Sequence, residues 1–385
     1  MDSGECREEM MRILEVARGW PDHDWPLNGI FEWDQSKALR DAGHQVVYAA
    51  LDVRSVRRWR KWGCYLTREE GIPVYHFSFP VGAIPGVDQA ASAWGFDMIL
   101  RRMMKQFGRP DLVHVHFGQV AASVAATCLE NHIPYVVTEH SSAVNTDTIP
   151  ERDKRKLQYT YSHAAAVIAV SQALKRRIWE HTGVEATVIP NIIDLSLFVP
   201  GQEEKNRPGN RFISAGNLNQ EKGFDALIRA FAAVREQAPE AKLLILGDGP
   251  EREKLQQLIR QFSLEDNVTL YGRYLRPEFA KKLRECDTFV LASRAETFGV
   301  VYAEAMAAGL PVIASRCGGP EDFINERNGL LVPVDDVQSL TEAMLRMLAS
   351  SDRYDRGEIS RCARTAFSSE TIGTMISELF QKIIM

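Results

Sequence analysis

Short apolar runs alternate with helix-like segments along this chain of 385 residues, and the alternation starts afresh after residue 209. That rhythm is the strongest constraint on the fold. A short strand, a helix and another strand pair in parallel through a right-handed crossover, because only that hand packs the helix back onto the sheet. In the first half the strand-like runs cover residues 11–16, 45–50, 111–116, 135–138, 165–170 and 187–190, with helical spacing over 31–42, 121–129 and 152–163. The helix over 31–42 stops at Gly43, a residue suited to the left-handed backbone that ends helices. The second half repeats the pattern with strands at 211–215, 242–246, 268–270, 287–292 and 311–314. Helices fall between them at 224–236 and 251–262, and a third starts near Gly299. Residues 200–209 are polar, rich in Pro and Gly, and without periodicity, so they read as a linker.

The expectation is therefore an α/β protein of two doubly wound, Rossmann-like domains, residues 1–199 and 200–367, facing a central cleft. In such sheets ligands bind outside the carboxyl ends of the strands. A last helix, over residues 370–384, has no obvious place in the second sheet.

Bulk properties narrow the function. A chain of 385 residues exceeds one ordinary core, in keeping with two domains. The net charge of −5 argues against a general nucleic-acid binder, which needs a basic face. The six cysteines are scattered, with no CxxC pair and no Cys/His cluster at zinc spacing, and read as reduced thiols. No apolar run reaches the ~20 residues a spanning helix needs, and the first ten residues are polar rather than signal-like. A cytoplasmic protein is expected, with any membrane contact peripheral.

The most informative stretch runs from residue 292 to 333, ASRAETFGVVYAEAMAAGLPVIASRCGGPEDFINERNGLLVP. Glu296 follows a strand, and Glu304, eight residues on, falls two turns into the next helix. Thr297, Phe298 and Gly299 form the turn that opens that helix. Its free N–H groups and positive end suit a pyrophosphate, and Gly299 lets the backbone approach closely. One carboxylate then suits sugar hydroxyls and the other a ribose diol. Alone, two glutamates at this spacing more often describe a solvated helix face. Lys222, before a glycine at a helix start, is alone a surface lysine. His140, just past the strand over 135–138, suits either a loop cap or a ligand contact at the strand's carboxyl end.

The surrounding text decides between these readings. The stretch resembles the E-x7-E signature of retaining glycosyltransferases of family 4, which have the two-Rossmann-domain GT-B architecture. Further pieces match in order. Asn28-Gly29-Ile30 is similar to the family's glycine-bearing loop, and Val188-Ile-Pro-Asn191-Ile-Ile-Asp194 to the stretch that ends its first domain. Gly216-Asn217-Leu218 to Glu221-Lys222-Gly223 resembles its phosphate-binding segment, with Asn217 where the family has arginine. The resemblance implies that Lys222 neutralises a donor diphosphate, that Glu296 orients the sugar and Glu304 the ribose, and that His140 contacts the sugar from the first domain. It implies donor contacts at Gly29, Asn217, Thr297, Phe298 and Gly299. It also implies retention of anomeric configuration without a metal or other cofactor, and a final helix (368–385) that crosses back to the first domain. A uridine diphosphate sugar is the preferred donor, and a carbohydrate or lipid-linked hydroxyl the acceptor.

Other motifs point away from other chemistry. Gly247-Asp-Gly249 follows a strand, but the third glycine of a dinucleotide fingerprint is Arg252. Asp22-His23-Asp24 is a D-x-D in a proline-flanked loop and reads as turn chemistry. His114 and His116 share one face of their strand by alternation and read as structural. Arg57, Arg58, Trp59, Arg60, Lys61 and Trp62 suit an anionic membrane surface, or equally a solvated helix with its tryptophans packed inward. Two rival functions stay open: a nucleotide-sugar epimerase or phosphorylase on the same fold, and a non-catalytic module that binds sugar nucleotides.

Overall fold

The structure, a computed structural model, describes residues 10–21, 28–54, 60–81, 86–201, 209–350 and 353–385. The chain divides into two compact units: unit 1 comprises Met1–Val170, Leu174–Ile192 and Ser369–Met385, and unit 2 comprises Ser171–Ala173 and Ile193–Ser368.

Unit 1 is built on strands β1 (Arg12–Ala17), β2 (Gln45–Val53), β3 (Gly63–Glu69), β4 (Ile72–Phe79), β5 (Leu112–His116), β6 (Tyr135–Glu139), β7 (Ala166–Ala169) and β8 (Thr187–Val188). Helices α1 (Ile30–Asp41), α2 (Val87–Gln106), α3 (Gly118–Glu130), α4 (Glu151–Ser162) and α5 (Gln172–Thr182) connect them. The sheet runs β3-β4-β2-β1-β5-β6-β7-β8, parallel except for β3. The central strands carry continuous apolar runs because both faces are covered. The antiparallel β3 and its partner β4 have no counterpart among the strands expected from the sequence. Cys64-Tyr-Leu-Thr67 is rich in strand formers, and Glu70-Gly71, both at positive φ, turns the chain straight back into β4.

Unit 2 holds β9 (Arg211–Ala215), β10 (Lys242–Leu246), β11 (Val268–Gly272), β12 (Thr288–Leu291), β13 (Val312–Ser315) and β14 (Gly329–Val332), in the order β11-β10-β9-β12-β13-β14. Its helices are α6 (Phe224–Gln237), α7 (Arg252–Gln261), α8 (Arg276–Arg284), α9 (Val300–Ala307), α10 (Val337–Ala349) and α11 (Arg356–Ala366). All its strand pairs are parallel. The strand order reverses between β9 and β12 here, and between β1 and β5 in unit 1. These reversals are where a doubly wound sheet opens a crevice at its carboxyl edge.

The last helix, α12 (Ser369–Ile384), belongs to unit 1. Its Ile372, Ile376 and Phe380 are buried in one core with Trp33, Ala38 and Leu39 of α1. Gly373 lets it close on α1, since a Cβ there would stand 3.2 Å from the Ala38 carbonyl oxygen. Burying side chains of this size contributes about 2 kcal/mol each, so α12 is a structural part of the unit to which it returns. Among the described residues, no helix is long and apolar enough to cross a membrane.

Candidate functional site

The loops after β9 and β12 flank the reversal point of the second sheet, and they carry Lys222 and Glu296. A short 3-10 turn, Gln220–Lys222, is capped by Asn219, whose side chain accepts from the Lys222 N–H. Gly223 follows at φ 63, and a Cβ there would lie 1.9 Å from the Ala292 carbonyl oxygen. Only glycine lets this turn sit against the end of β12. Arg294 then ties the two loops together. Its backbone N–H donates to the Glu221 carbonyl at 2.7 Å, and its guanidinium reaches the Gln220 carbonyl and the carboxylates of Asp225 (3.1 Å) and Asp335 (2.8 Å).

Within this frame Lys222 Nζ donates to Glu296 Oε1 at 2.8 Å, and Ser293 Oγ donates to the same oxygen at 2.7 Å. Glu296 is nearly buried at 8% exposure, whereas the Lys222 side chain keeps 24%. The backbone at Glu296 is fixed by a bridge to Gly318, with Glu296 N–H donating to the Cys317 carbonyl and Gly319 N–H to the Glu296 carbonyl.

Glu304 lies on α9, which opens at Gly299 in the left-handed conformation with no acidic residue in its first turn. Since α9 starts at Val300, Glu304 is one turn into the helix, not two. Glu304 Oε1 accepts from Arg276 Nε at 3.2 Å, at the amino end of α8. Burial and the Glu304 charge raise the pKa of the neighbouring Tyr274 hydroxyl, which stays a neutral donor. The Phe298 ring is buried against Phe323 and Phe367, so its backbone is the part available to a ligand. Thr297 is half-buried, and Asn217 stands exposed after β9.

Gly29 and His140 belong to unit 1. Gly29 precedes α1 at φ 74, tucked against the loop after β1, where a Cβ would meet the Gly19 carbonyl oxygen at 2.7 Å. The loop bearing His140 is shaped by the buried Glu139. One of its carboxylate oxygens accepts from the N–H groups of His140 (2.9 Å) and Ser141 (2.7 Å). The other accepts from the Gly118 N–H (2.9 Å) and the Tyr161 hydroxyl. His140 Nε2 lies 3.2 Å from His116 Nδ1, and the two rings stack at 24°.

Beneath His140 is a cluster that strand alternation only half announced. Glu15 of β1 is fully buried, with Oε1 2.9 Å from His114 Nδ1 and Oε2 2.9 Å from His116 Nε2. His114 Nε2 lies 2.7 Å from Thr138 Oγ1, so both histidines are occupied inside the sheet. Burial raises the Glu15 pKa, but the charge and hydrogen bonds of His114 and His116 outweigh it and hold the carboxyl at about 2.

Asp22, His23, Asp24, Arg57, Arg58 and Trp59 lie outside the described residues. Arg60 binds Asp52 at 2.8 Å, and Lys61, exposed, holds its ammonium 4.3 Å from the Tyr65 ring centre. Sequence reasoning missed Arg294, Arg276, Ser293, Glu139 and Glu15. Glu15 did leave a signal, being the lone acid inside an apolar strand.

Comparison with known proteins agrees across both units. The family profile described as "Glycosyl transferases group 1" matches residues 198–361, and that described as "Glycosyltransferase Family 4" matches residues 33–197. A Bacillus subtilis protein named as a teichuronic acid biosynthesis glycosyltransferase, TuaC, is 28% identical over 360 residues, covering 87% of this chain and 89% of its own. N-acetyl-alpha-D-glucosaminyl L-malate synthase of Bacillus anthracis is 25% identical over 307 residues, covering 75% and 80%. Among solved structures, sucrose-phosphate synthase of Thermosynechococcus elongatus superposes with a TM-score of 0.80 at 23% identity, over 97% of this chain and 99% of its own. Anabaena HepE, in complex with UDP and glucose, superposes with a TM-score of 0.74 at 20% identity, over 97% and 100%.

Proposed function

This chain belongs to the family 4 type of glycosyltransferases, with the GT-B fold, and from that premise we propose that it moves a sugar from a uridine diphosphate donor to a hydroxyl acceptor with retention of configuration. The observation that carries this reading is the Lys222–Glu296 pair at the reversal point of the second sheet. An arriving diphosphate competes for the ammonium, a compact point charge suited to phosphate. Glu296, released from Lys222 but still bonded to Ser293, is then free to accept from sugar hydroxyls. The amino end of α9 faces developing negative charge on the leaving diphosphate, and Lys222 stabilises it in the transition state. Glu304, oriented by Arg276, takes the ribose diol. UDP in the HepE complex supports the choice of base.

No step in this scheme needs a metal, because Lys222 and backbone donors meet the diphosphate charge. His140 acts on the donor sugar, the role the family resemblance implies. The acceptor side is read from a cavity of about 660 Å³ within unit 1, at the carboxyl edge of its sheet. Its lining sets Arg18, Arg54, Arg152 and Lys156 against Asp88 and Asp153. Lys156 donates to Gln89 at 2.8 Å, and burial lowers its pKa. A cation-rich cavity in a chain of net charge −5 suits an acceptor bearing a carboxylate or phosphate, which fits the L-malate in the name of the Bacillus anthracis relative.

The test is to incubate the protein with UDP-glucose, with and without L-malate and inositol phosphates, and follow the anomeric signals by NMR. Release of UDP with an α-configured product, or slow hydrolysis to α-glucose, supports the reading. An epimerised donor, or binding without any UDP release, contradicts it.

A further inference from the structure

The buried carboxylate of Glu15 has no part in the scheme above, yet it begins a hydrogen-bonded chain that ends on His140. Both Glu15 oxygens lie 2.9 Å from imidazole nitrogens, one of His114 and one of His116. A carboxylate can only accept, so His116 must donate from Nε2. Burial, and then the charge of His114, lower the His116 pKa to about 4, so the ring is neutral near pH 7 and its Nδ1 is a bare lone pair. The atom 3.2 Å from that lone pair is His140 Nε2, which must therefore carry the hydrogen. Burial depresses the His140 pKa well below the imidazole range, with the neighbouring histidines and Arg18 acting in the same direction and outweighing the Asn191 side chain, which raises it. A neutral ring protonated on Nε2 leaves Nδ1 unprotonated. That Nδ1 is buried, with the side-chain amide of Asn191 beside the ring as its hydrogen-bonding neighbour.

We infer that Glu15 and His116 are positioning residues that order the protons of His140, fixing it as a neutral imidazole with its hydrogen on Nε2 and its lone pair on Nδ1. The ring plane is set as well. His140 stacks on His116 with centroids 5.4 Å apart and lies 5.3 Å from Phe117, itself held at φ 69 with the Arg18 guanidinium 3.9 Å over its ring. A non-glycine residue at such φ is strained and persists only where its surroundings over-determine it. Here Phe117 is wedged between Arg18 and His140. The ionisable groups around the ring are Glu15, His114 and His116 from β1 and β5, Glu139 next to it in the chain, and Arg18 after β1.

The consequence for transfer rests on the proposed function and on His140 meeting the donor sugar. A glycosyl centre gains positive charge as its leaving group departs. An imidazolium beside it would oppose that charge, whereas a neutral ring with a fixed lone pair does not. Glu15 and His116 thus keep a cation away from the reacting carbon without touching it.

The test uses the full chain labelled with ¹⁵N in its imidazoles, with His140 identified by the signal lost in His140→Asn. The expected long-range ¹H–¹⁵N pattern shows His140 and His116 both neutral with hydrogen on Nε2 at pH 7. In His116→Phe, which keeps the stacked ring but removes the acceptor, His140 is expected to become a mixture of tautomers. Transfer kcat should fall roughly tenfold, the order carried by a partner that orients a functional imidazole, with the affinity for UDP unchanged. His140 found protonated on Nδ1, charged at pH 7, or unaltered by His116→Phe would overturn the proposal. The wild-type spectrum decides even if the variant fails to fold, and it needs no turnover, so it stands apart from the enzymatic reading. The ligand atoms of Glu15, His114 and His116 all lie within 4.8 Å of one another. One equivalent of a transition metal in elemental analysis of the purified protein would also overturn the proposal, since a cation there replaces the two donated protons.

Discussion

Each sheet places an acid against nitrogen bases at its reversal point, but the two arrangements are built for opposite ends. In unit 1, Glu15 and its two histidines are fully buried and every carboxylate oxygen already has a partner. In unit 2, Glu296 is nearly buried but its partner Lys222 keeps 24% of its side chain exposed, on a flexible four-carbon stem. A buried pair has already lost its water, so removing one member strands the other. A partly exposed lysine is still solvated and can be captured by an incoming anion. The contrast teaches that stability lives in the first cluster and ligand response in the second.

The sharpest way to break that contrast is to remove Glu15. Glu15→Ala strands two buried imidazoles, and unfolding should become easier by about 3–5 kcal/mol, read as a lowered midpoint in urea. Lys222→Ala should cost far less, about 1 kcal/mol, because Glu296 keeps its hydrogen bond from Ser293. Its rate of UDP release from UDP-sugar should fall about 10²–10³-fold, the usual loss of one group that stabilises charge in a transition state. Similar losses of stability in both variants would erase the distinction.

Acid sharpens the comparison. Glu15 has its pKa depressed from 4.5 to about 2, so its stabilisation is complete above about 4.5 and is lost as pH falls through about 2. His116 is depressed from 6.5 to about 4, so folding resists its protonation and stability drains as pH falls from 6.5 to 4. Both signs agree, and stability of the wild-type chain should decline steadily below pH 6.5. In His116→Phe the slope between pH 6.5 and 4 should be smaller, as read from urea midpoints across pH. Smaller in effect, Arg152→Ala with Lys156→Ala should raise KM for an anionic acceptor by about tenfold, the order of one charged hydrogen bond, and leave the donor KM unchanged. Least of all, EDTA should leave the transfer rate unaltered; a loss restored by Mg²⁺ or Mn²⁺ would contradict the metal-free scheme.

Much of this fold was legible because parallel strands buried on both faces must be written as apolar runs. The runs over 211–215 and 242–246 emerged as β9 and β10 with the bounds expected. Where apolar periodicity was diluted, reading failed. The β3–β4 hairpin went unread because it is set by the Glu70-Gly71 turn, a local backbone event. Lys222 and Glu296 stood out through the text around them. Arg294 and Arg276 did not, because a clamp between loops 74 residues apart in sequence has no periodicity to betray it. Glu15 shows the intermediate case: an acid inside a strand demands a partner, but only strand order reveals that β5 supplies His114 and His116.

The central claim is that Lys222 and Glu296 together receive a sugar nucleotide diphosphate. Isothermal titration of UDP into wild type and Lys222→Ala tests it most directly. The account predicts binding to wild type that weakens at least tenfold when the ammonium is removed. Equal affinity for both proteins, or no uptake of UDP by the wild type, would contradict it.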